Sequence, residues 1–355
     1  MEKTNGEKGI FGWRAPIDFL RAFGENFFAD FPNSYGGSFM KKLWMVFLAG
    51  VLLGTVPFDA HYPDQARAAA EESVSRLRYF SQPNGVKGSD TPYGNNTSAG
   101  QYVQADDAKI YYETYGAGQP FFVFHGGGVG SPYELGRIID ELRKDFKVIV
   151  VSTRGHGRSE IGRNPVSYEQ KARDMLAVIR NETDSPVPIF GFSDGAYTAF
   201  KVASLYPDAV ERIVAVGAGT LKPGYFPSEM KVEDLEKTDK AYMDQLRSMM
   251  PEPERLQEFF NAYMSFWNKM EAGKELFGSI TCPVLLIAGD EDDHAPVLTV
   301  LKAHQMLPNS RLCIVPKAWH TAFLDNYPVT WAAVAQFVHA APGALVSSKK
   351  LEQNN

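Results

Sequence analysis

Cysteine is scarce in this chain of 355 residues: only Cys282 and Cys313 occur, and neither lies in a CxxC pair. Two thiols cannot build a disulfide scaffold or a four-thiolate zinc site. Positive charge is not in excess either, since 36 Lys and Arg stand against 42 Asp and Glu for a net charge of -6. Without a basic stripe, nucleic acid is not an expected partner, and a small or apolar substrate suits the balance better. Internal repeats and low-complexity tracts are missing as well. With 44% hydrophobic and 13% aromatic residues, the chain has enough apolar material for a large core in one or two domains.

What is present begins with a leader. Met40 to Val56 reads MKKLWMVFLAGVLLGTV, two lysines and then an uncharged run from Leu43. That run spans about 21 Å as a helix, short of the roughly 30 Å hydrocarbon layer but right for a signal-peptide h-region. Ala68 and Ala70 fit the A-x-A rule for cleavage before Glu71. Residues 40–70 therefore read as a signal peptide, with an uncleaved anchor as the alternative. Either places the body outside the cytoplasm, periplasmic or secreted, with membrane contact only through that anchor. Residues 1–39 lie upstream of a methionine that reads as a start, and form an upstream extension that is either not translated or amphipathic through Phe19, Phe23 and Phe27. Residues 71–100, rich in Gly, Pro, Asn and Ser from Ser81 onward, read as a linker or irregular arm.

Beyond that arm, short apolar runs alternate with helical patterns. Tyr102 to Gln104 and Ile110 to Tyr115 flank a turn at Asp106 and Asp107 and predict a hairpin. Strands are then expected at Phe121 to Phe124, Lys147 to Val151, Val187 to Gly191, Arg212 to Val216, Val284 to Ala288 and Leu312 to Val315. Strands separated by helices imply crossovers, hence an α/β fold with a mainly parallel sheet. Ser167 and Gln170 form a capping box that opens a helix from Tyr168 to Arg180, and Pro328 opens the last helix. The connection from Leu221 to Thr281 is anomalously long and helical in pattern. It reads as a cap, residues 221–281, inserted into a core of residues 101–220 and 282–345. Its stripes of Met, Phe and Tyr are ordinary packing faces for the most part. A few, with Phe226, Tyr263 and Trp267 as candidates, are expected to line an apolar pocket.

The strongest local signal is Gly191-Phe192-Ser193-Asp194-Gly195, a G-x-S-x-G sequence between a predicted strand and a predicted helix. A serine hydroxyl is a weak nucleophile and needs a base, which needs an orienting acid. On a parallel sheet these come from loops at the C-terminal ends of strands, in the order Ser, acid, His. Asp290, Glu291, Asp292 and Asp293 follow one strand and His320 follows the next. His125 and His156 precede Ser193 and break that order. A metal reading of Asp290 to His294 lacks further ligands at fixed spacing, so neither metal nor cofactor is expected. His125-Gly126-Gly127-Gly128 at the end of another strand lacks the Lys-Ser/Thr of a phosphate loop and reads instead as an oxyanion hole.

In this constellation the chain resembles the serine α/β-hydrolase superfamily, in its esterase, proline-iminopeptidase and haloperoxidase-like branch with a helical cap. The resemblance runs from about Tyr102 to Val338 and rests on HGGG, RGHGRS at Arg154, GFSDG, GDEDDHAP at Gly289, and His320. It implies Ser193 as nucleophile, His320 as base and Asp292 as acid, because G-x-x-D-x-x-x-P aligns Gly289, Asp292 and Pro296. Gly127 and Asp194 would supply the oxyanion donors. Two positions depart from the pattern. Ser152 stands where an aspartate is common, and Trp319 stands where glycine precedes the histidine, narrowing the pocket or adding a stacking surface. The implied activity is hydrolysis of small apolar carboxylic esters through an acyl-enzyme. Acyl transfer and peptide or amide cleavage share the same residues, and non-catalytic ligand binding on this fold is the alternative of another class. Finally, aligning the strand ends offsets Cys282 from Cys313 by about 13 Å, too far for a bridge, so both are expected as buried free thiols.

Overall fold

The computed structural model describes residues 77–345. The expected leader at residues 40–70 and the extension at 1–39 lie outside the described residues. Within them, β1 (Gly100–Ala105), β2 (Ala108–Tyr115), β3 (Pro120–Phe124), β4 (Lys147–Val151), β5 (Val187–Phe192), β6 (Val210–Val216), β7 (Val284–Gly289) and β8 (Ser310–Val315) form one eight-stranded sheet in the order β1-β2-β4-β3-β5-β6-β7-β8. β1 and β2 are antiparallel, and β3 to β8 run parallel. This is the mainly parallel α/β sheet that the alternation of apolar runs predicts.

The strands form where they do because both sheet faces are covered, which turns each central strand into a continuous apolar run. Period-two alternation then divides the core. Phe122, Phe124, Ile149, Ile189, Ile213 and Leu286 face one cluster, while Phe121, Val123, Val148, Phe190, Val214 and Ile287 face the other. The first face is covered by α2 (Tyr168–Glu182) and α3 (Asp194–Leu205), the second by α1 (Gly136–Leu142) and the last long helix, α8 (Tyr327–Val338). Ser167 caps α2 as expected, its hydroxyl accepting from the Gln170 N–H at 3.1 Å. The Gln170 amide does not close the box: it donates to Asp106 and Asp174 instead.

The insertion after β6 carries α4 (Val232–Met249), α5 (Leu256–Lys269) and the short α6 (Lys274–Gly278). Its neck is an antiparallel bridge between Leu221 and Ala272. Beyond that bridge, Phe277 of α6 is fully buried in the core cluster, against α3 and α7 (Val297–Met306), so the insertion rejoins the core earlier than Thr281. α4 kinks at Asp239, where φ is -149° and ψ 77°. There the carboxylate caps the second half through the Tyr242 N–H at 3.1 Å and also receives Ser81 N–H at 2.9 Å and Arg78 at 2.9 Å. Residues 77–99 lie along the cap and core in this way with little regular structure.

The cysteines are free, but half-buried rather than buried. Cys313 stands opposite Ile287, five positions past Cys282 where four were expected. β8 is an edge strand, so one side of it lacks the cover that the inner strands have. Burial pushes the Cys282 thiol up to about 12, and a protonated thiol is unreactive.

Candidate active site

Ser193 follows β5 and opens α3 on a backbone of φ 50° and ψ -116°. That left-handed bend projects the side chain above the sheet. It requires the flanking glycines, because a Cβ on Gly191 would stand 2.6 Å from the Gly195 carbonyl oxygen, and one on Gly195 would stand 2.3 Å from that of Phe124. The Ser193 N–H is spent on Val216 O at 2.8 Å, which pins the turn to β6.

His320 comes from the loop after β8 and Asp292 from the loop after β7. The two loops are forced together at Gly289, where a Cβ would lie 2.1 Å from the Ala318 carbonyl oxygen. The Ser193 hydroxyl donates to His320 Nε2 at 2.9 Å, and His320 Nδ1–H donates to Asp292 at 2.9 and 3.1 Å. Of the four contiguous acids, only Asp292 faces the imidazole: Asp290 accepts the Ala318 N–H, Asp293 meets His294, and both are exposed. Burial works to raise the Asp292 carboxyl, but His320 and the N–H groups of Ala295 and His294 outweigh it and hold the group below its ordinary value. The imidazole is wedged between Phe192 and His294, with ring centroids at 4.9 and 4.7 Å, and against Gly217 at φ +66°, where a Cβ would come within 2.8 Å of it.

β3 and β5 are neighbours, so the glycine loop after Phe124 emerges beside Ser193. Among the described residues, neither the Gly127 nor the Asp194 N–H has an acceptor in the protein. No side chain fits at 127, since a Cβ would lie 2.3 Å from the Tyr263 hydroxyl and 2.7 Å from Trp267. Gly126 N–H is held by Glu134 at 3.1 Å, and burial pushes that carboxyl up to about 8. Phe226, Trp267 and Tyr263 form one aromatic run, with centroids 5.2 and 4.9 Å apart. Trp319 does not join it: its side chain is 55% exposed.

His125 and His156 are buried and pushed down to about 4 and about 3 by burial, so both are neutral. His125 Nε2 accepts the Thr153 N–H at 3.1 Å, a packing role. Arg154 of RGHGRS binds Asp174 through two bonds of 2.8 Å and Asp107 at 2.7 Å, tying the hairpin turn to α2. Ser152, the departure from the family pattern, leaves its buried hydroxyl without a partner among the described residues. Asp292, His294 and His320 could together contact one cation, but the same Asp292 oxygens are already spent on His320 and two backbone N–H groups.

Sequence reasoning missed one feature. The Asp194 carboxylate is fully buried beside Ser193 and pairs with Lys171 of α2. It also accepts from the Tyr168 hydroxyl at 2.9 Å and from Trp267 Nε1 at 3.3 Å, while Lys171 Nζ donates to the Tyr263 hydroxyl at 2.6 Å. Core and cap thus meet at the residue after Ser193.

A family model for the alpha/beta hydrolase fold matches residues 119–259. The chain is 25% identical over 266 residues to the AB hydrolase superfamily protein YisY of Bacillus subtilis, covering 67% of this chain and 98% of that one. It is 21% identical over 249 residues to a 2-hydroxy-6-oxo-6-(2'-aminophenyl)hexa-2,4-dienoic acid hydrolase of Metapseudomonas resinovorans, covering 64% and 86%. Among solved structures, the serine hydrolase CarC, involved in carbazole degradation, aligns with a TM-score of 0.58 at 22% identity, over 67% of this chain and 98% of that one. An esterase from Rhodococcus sp. ECU1013 aligns with a TM-score of 0.55 at 20% identity, over 68% and 100%. Fold, family match and relatives agree on the alpha/beta hydrolase fold.

Proposed function

We propose that the protein is a serine hydrolase of small, apolar carboxylic esters. The observation that carries this reading is the hydrogen-bonded chain Ser193–His320–Asp292, set on a strained turn beside two N–H groups without acceptors. In this reading His320 takes the Ser193 proton as Oγ attacks the ester carbonyl, and Asp292 fixes the tautomer that makes Nε2 the acceptor. Gly127 and Asp194 N–H receive the oxyanion. The imidazolium then protonates the leaving alcohol, and water activated by the same imidazole releases the acyl group. The aromatic run Phe226–Trp267–Tyr263 supports an apolar acyl or alcohol group, since the polar atoms around it are spent on one another. The basic leader followed by an A-x-A sequence supports a periplasmic or secreted site of action.

The test uses a chromogenic ester series of increasing chain length. Ser193→Ala should remove turnover, by ~10⁶ in kcat, and a fluorophosphonate should label Ser193 alone. Full activity in the alanine variant, labelling elsewhere, or a marked preference for charged esters would refute the reading.

A further inference from the structure

A carboxylate on the residue that follows the nucleophile is electrostatically out of place. The Asp194 N–H is offered to a developing oxyanion, yet its own side chain carries a negative charge within one residue's reach of that anion. In a water-excluded site such a charge opposes the transition state far more strongly than it would in water. Some cation must offset it. From α2, Asp194 faces Lys171 and Tyr168, and from cap helix α5 it faces Tyr263 and Trp267. Tyr197 of α3 and the loop histidines His125 and His156 are the other titratable groups near it, and all three are neutral because burial disfavours their charged forms. Lys171, itself buried, is therefore the one positive charge among the described residues that face Asp194.

Lys171 also acts on geometry. It donates at once to Asp194 on the elbow and to the Tyr263 hydroxyl on the cap. That hydroxyl lies 2.3 Å from where a Cβ on Gly127 would stand, and Asp194 Cβ lies 2.9 Å from the same point. The glycine loop at Gly127 and the turn at Asp194 thus both touch a single Lys171–Asp194–Tyr263 cluster.

We propose that Lys171 is a positioning residue for the oxyanion hole: it neutralises the Asp194 carboxylate and, through Tyr263, seats the glycine loop against the elbow. This rests on the reading of Ser193 as an acyl-transfer nucleophile.

The experiment compares the wild type, Lys171→Met, Asp194→Asn and the double variant by ester hydrolysis between about pH 5.5 and 9, with fluorophosphonate labelling and thermal melts alongside. Lys171→Met should lose ~100-fold in kcat near pH 8 with KM within ~3-fold, the scale of a lost oxyanion donor. Its deficit relative to wild type should shrink as pH falls, because an unpaired buried Asp194 takes up a proton. The double variant should return to within ~10-fold of wild type with a pH-independent deficit, since the offending charge is gone along with its counter-ion. A single variant within ~3-fold of wild type, or a double variant no better than the single, would overturn the proposal in favour of packing alone. Should Lys171→Met fail to fold, Asp194→Asn decides. It removes the carboxylate while keeping Lys171 beside the Tyr263 hydroxyl, so activity within ~10-fold of wild type is expected, and a ~100-fold loss there would assign the function to the carboxylate and overturn the proposal. An unlabelled, inactive wild type would instead sink the hydrolase reading, and this proposal with it.

Discussion

Replacing Asp292 with asparagine separates orientation from charge at one position. Its carboxylate is fully buried and meets His320 Nδ1 at 2.9 and 3.1 Å while Oδ1 accepts the His294 and Ala295 N–H groups at 2.9 and 2.8 Å. Those two backbone donors fix where the oxygen of an asparagine must go, because only Oδ1 can accept them. The amide nitrogen then falls opposite His320 Nδ1 and donates to it. The imidazole must carry its proton on Nε2, which points a hydrogen at Ser193 Oγ where a lone pair is needed. On the proposed mechanism this costs about 10⁴ in kcat, or about 5.4 kcal/mol of barrier. Asp290→Asn leaves the imidazole alone and keeps an oxygen to accept the Ala318 N–H at 3.2 Å, and Asp293→Asn alters only an exposed contact to His294. Each should stay within ~10-fold of wild type, as surface contacts do. Steady-state kcat on a chromogenic ester, with melts to confirm folding, measures all three. Comparable losses in the three variants, or a loss below ~100-fold for Asp292→Asn, would refute the tautomer argument. The same carboxylate contributes to stability above its ordinary value of 3.8, and that contribution is lost as pH falls through its lower folded value.

Glu134 behaves in the opposite sense. Its folded value of about 8 lies above the ordinary 4.5, so the folded state keeps a proton that the unfolded chain has lost, and stability falls as pH rises between those values. Glu134→Gln should lessen the fall in Tm from about pH 5 to 9, and identical slopes in the two proteins would refute it. Arg154→Ala leaves Asp174 buried without its cation, and urea unfolding should show a loss of about 3 to 5 kcal/mol; a loss under ~1 kcal/mol would mean that the pair is replaceable. Gly217→Ala adds a Cβ at φ +66° that crowds His320, so kcat should drop ~10-fold or more with the fold retained. Thiol titration of the denatured protein without reductant should find two groups, because the strand register keeps Cys282 and Cys313 apart.

The inner strands are legible in the residues because a strand covered on both faces must be a short apolar run, and few other segments of this chain are; the edge strands β1 and β8 are legible instead from the turns and apolar residues that bound them. β4 reads Lys-Val-Ile-Val-Val and β7 Val-Leu-Leu-Ile-Ala-Gly, with turn or polar residues at each end. The helices α1 and α7 are less visible. α1 has seven residues, barely two turns, and α7 buries only Val300 and Ala303, so neither presents a sustained stripe. The neck of the cap is not visible at all, since the bridge from Leu221 to Ala272 is a single backbone pairing that any residues could make. Trp319 misleads for a related reason: its neighbour in sequence points into the site, but its own side chain faces solvent.

The order of Ser193, Asp292 and His320 along the chain is legible because each must leave the C-terminal end of a different parallel strand. Lys171 is not, because it reaches the site from the first turn of a helix, 23 residues before Asp194. Yet a signal was present. The inner face of α2 carries Tyr168, Ala172, Met175, Val178 and Ile179, all buried, and Lys171 falls on that face four residues before Met175. A lysine on an apolar helix face needs a buried anion, because an unpaired ammonium there would lose its charge. A buried carboxylate directly after Ser193 needs a buried cation for the same reason. Each residue is anomalous alone, and the two anomalies cancel only if the inner face of α2 meets the start of α3, which is where the sheet places them.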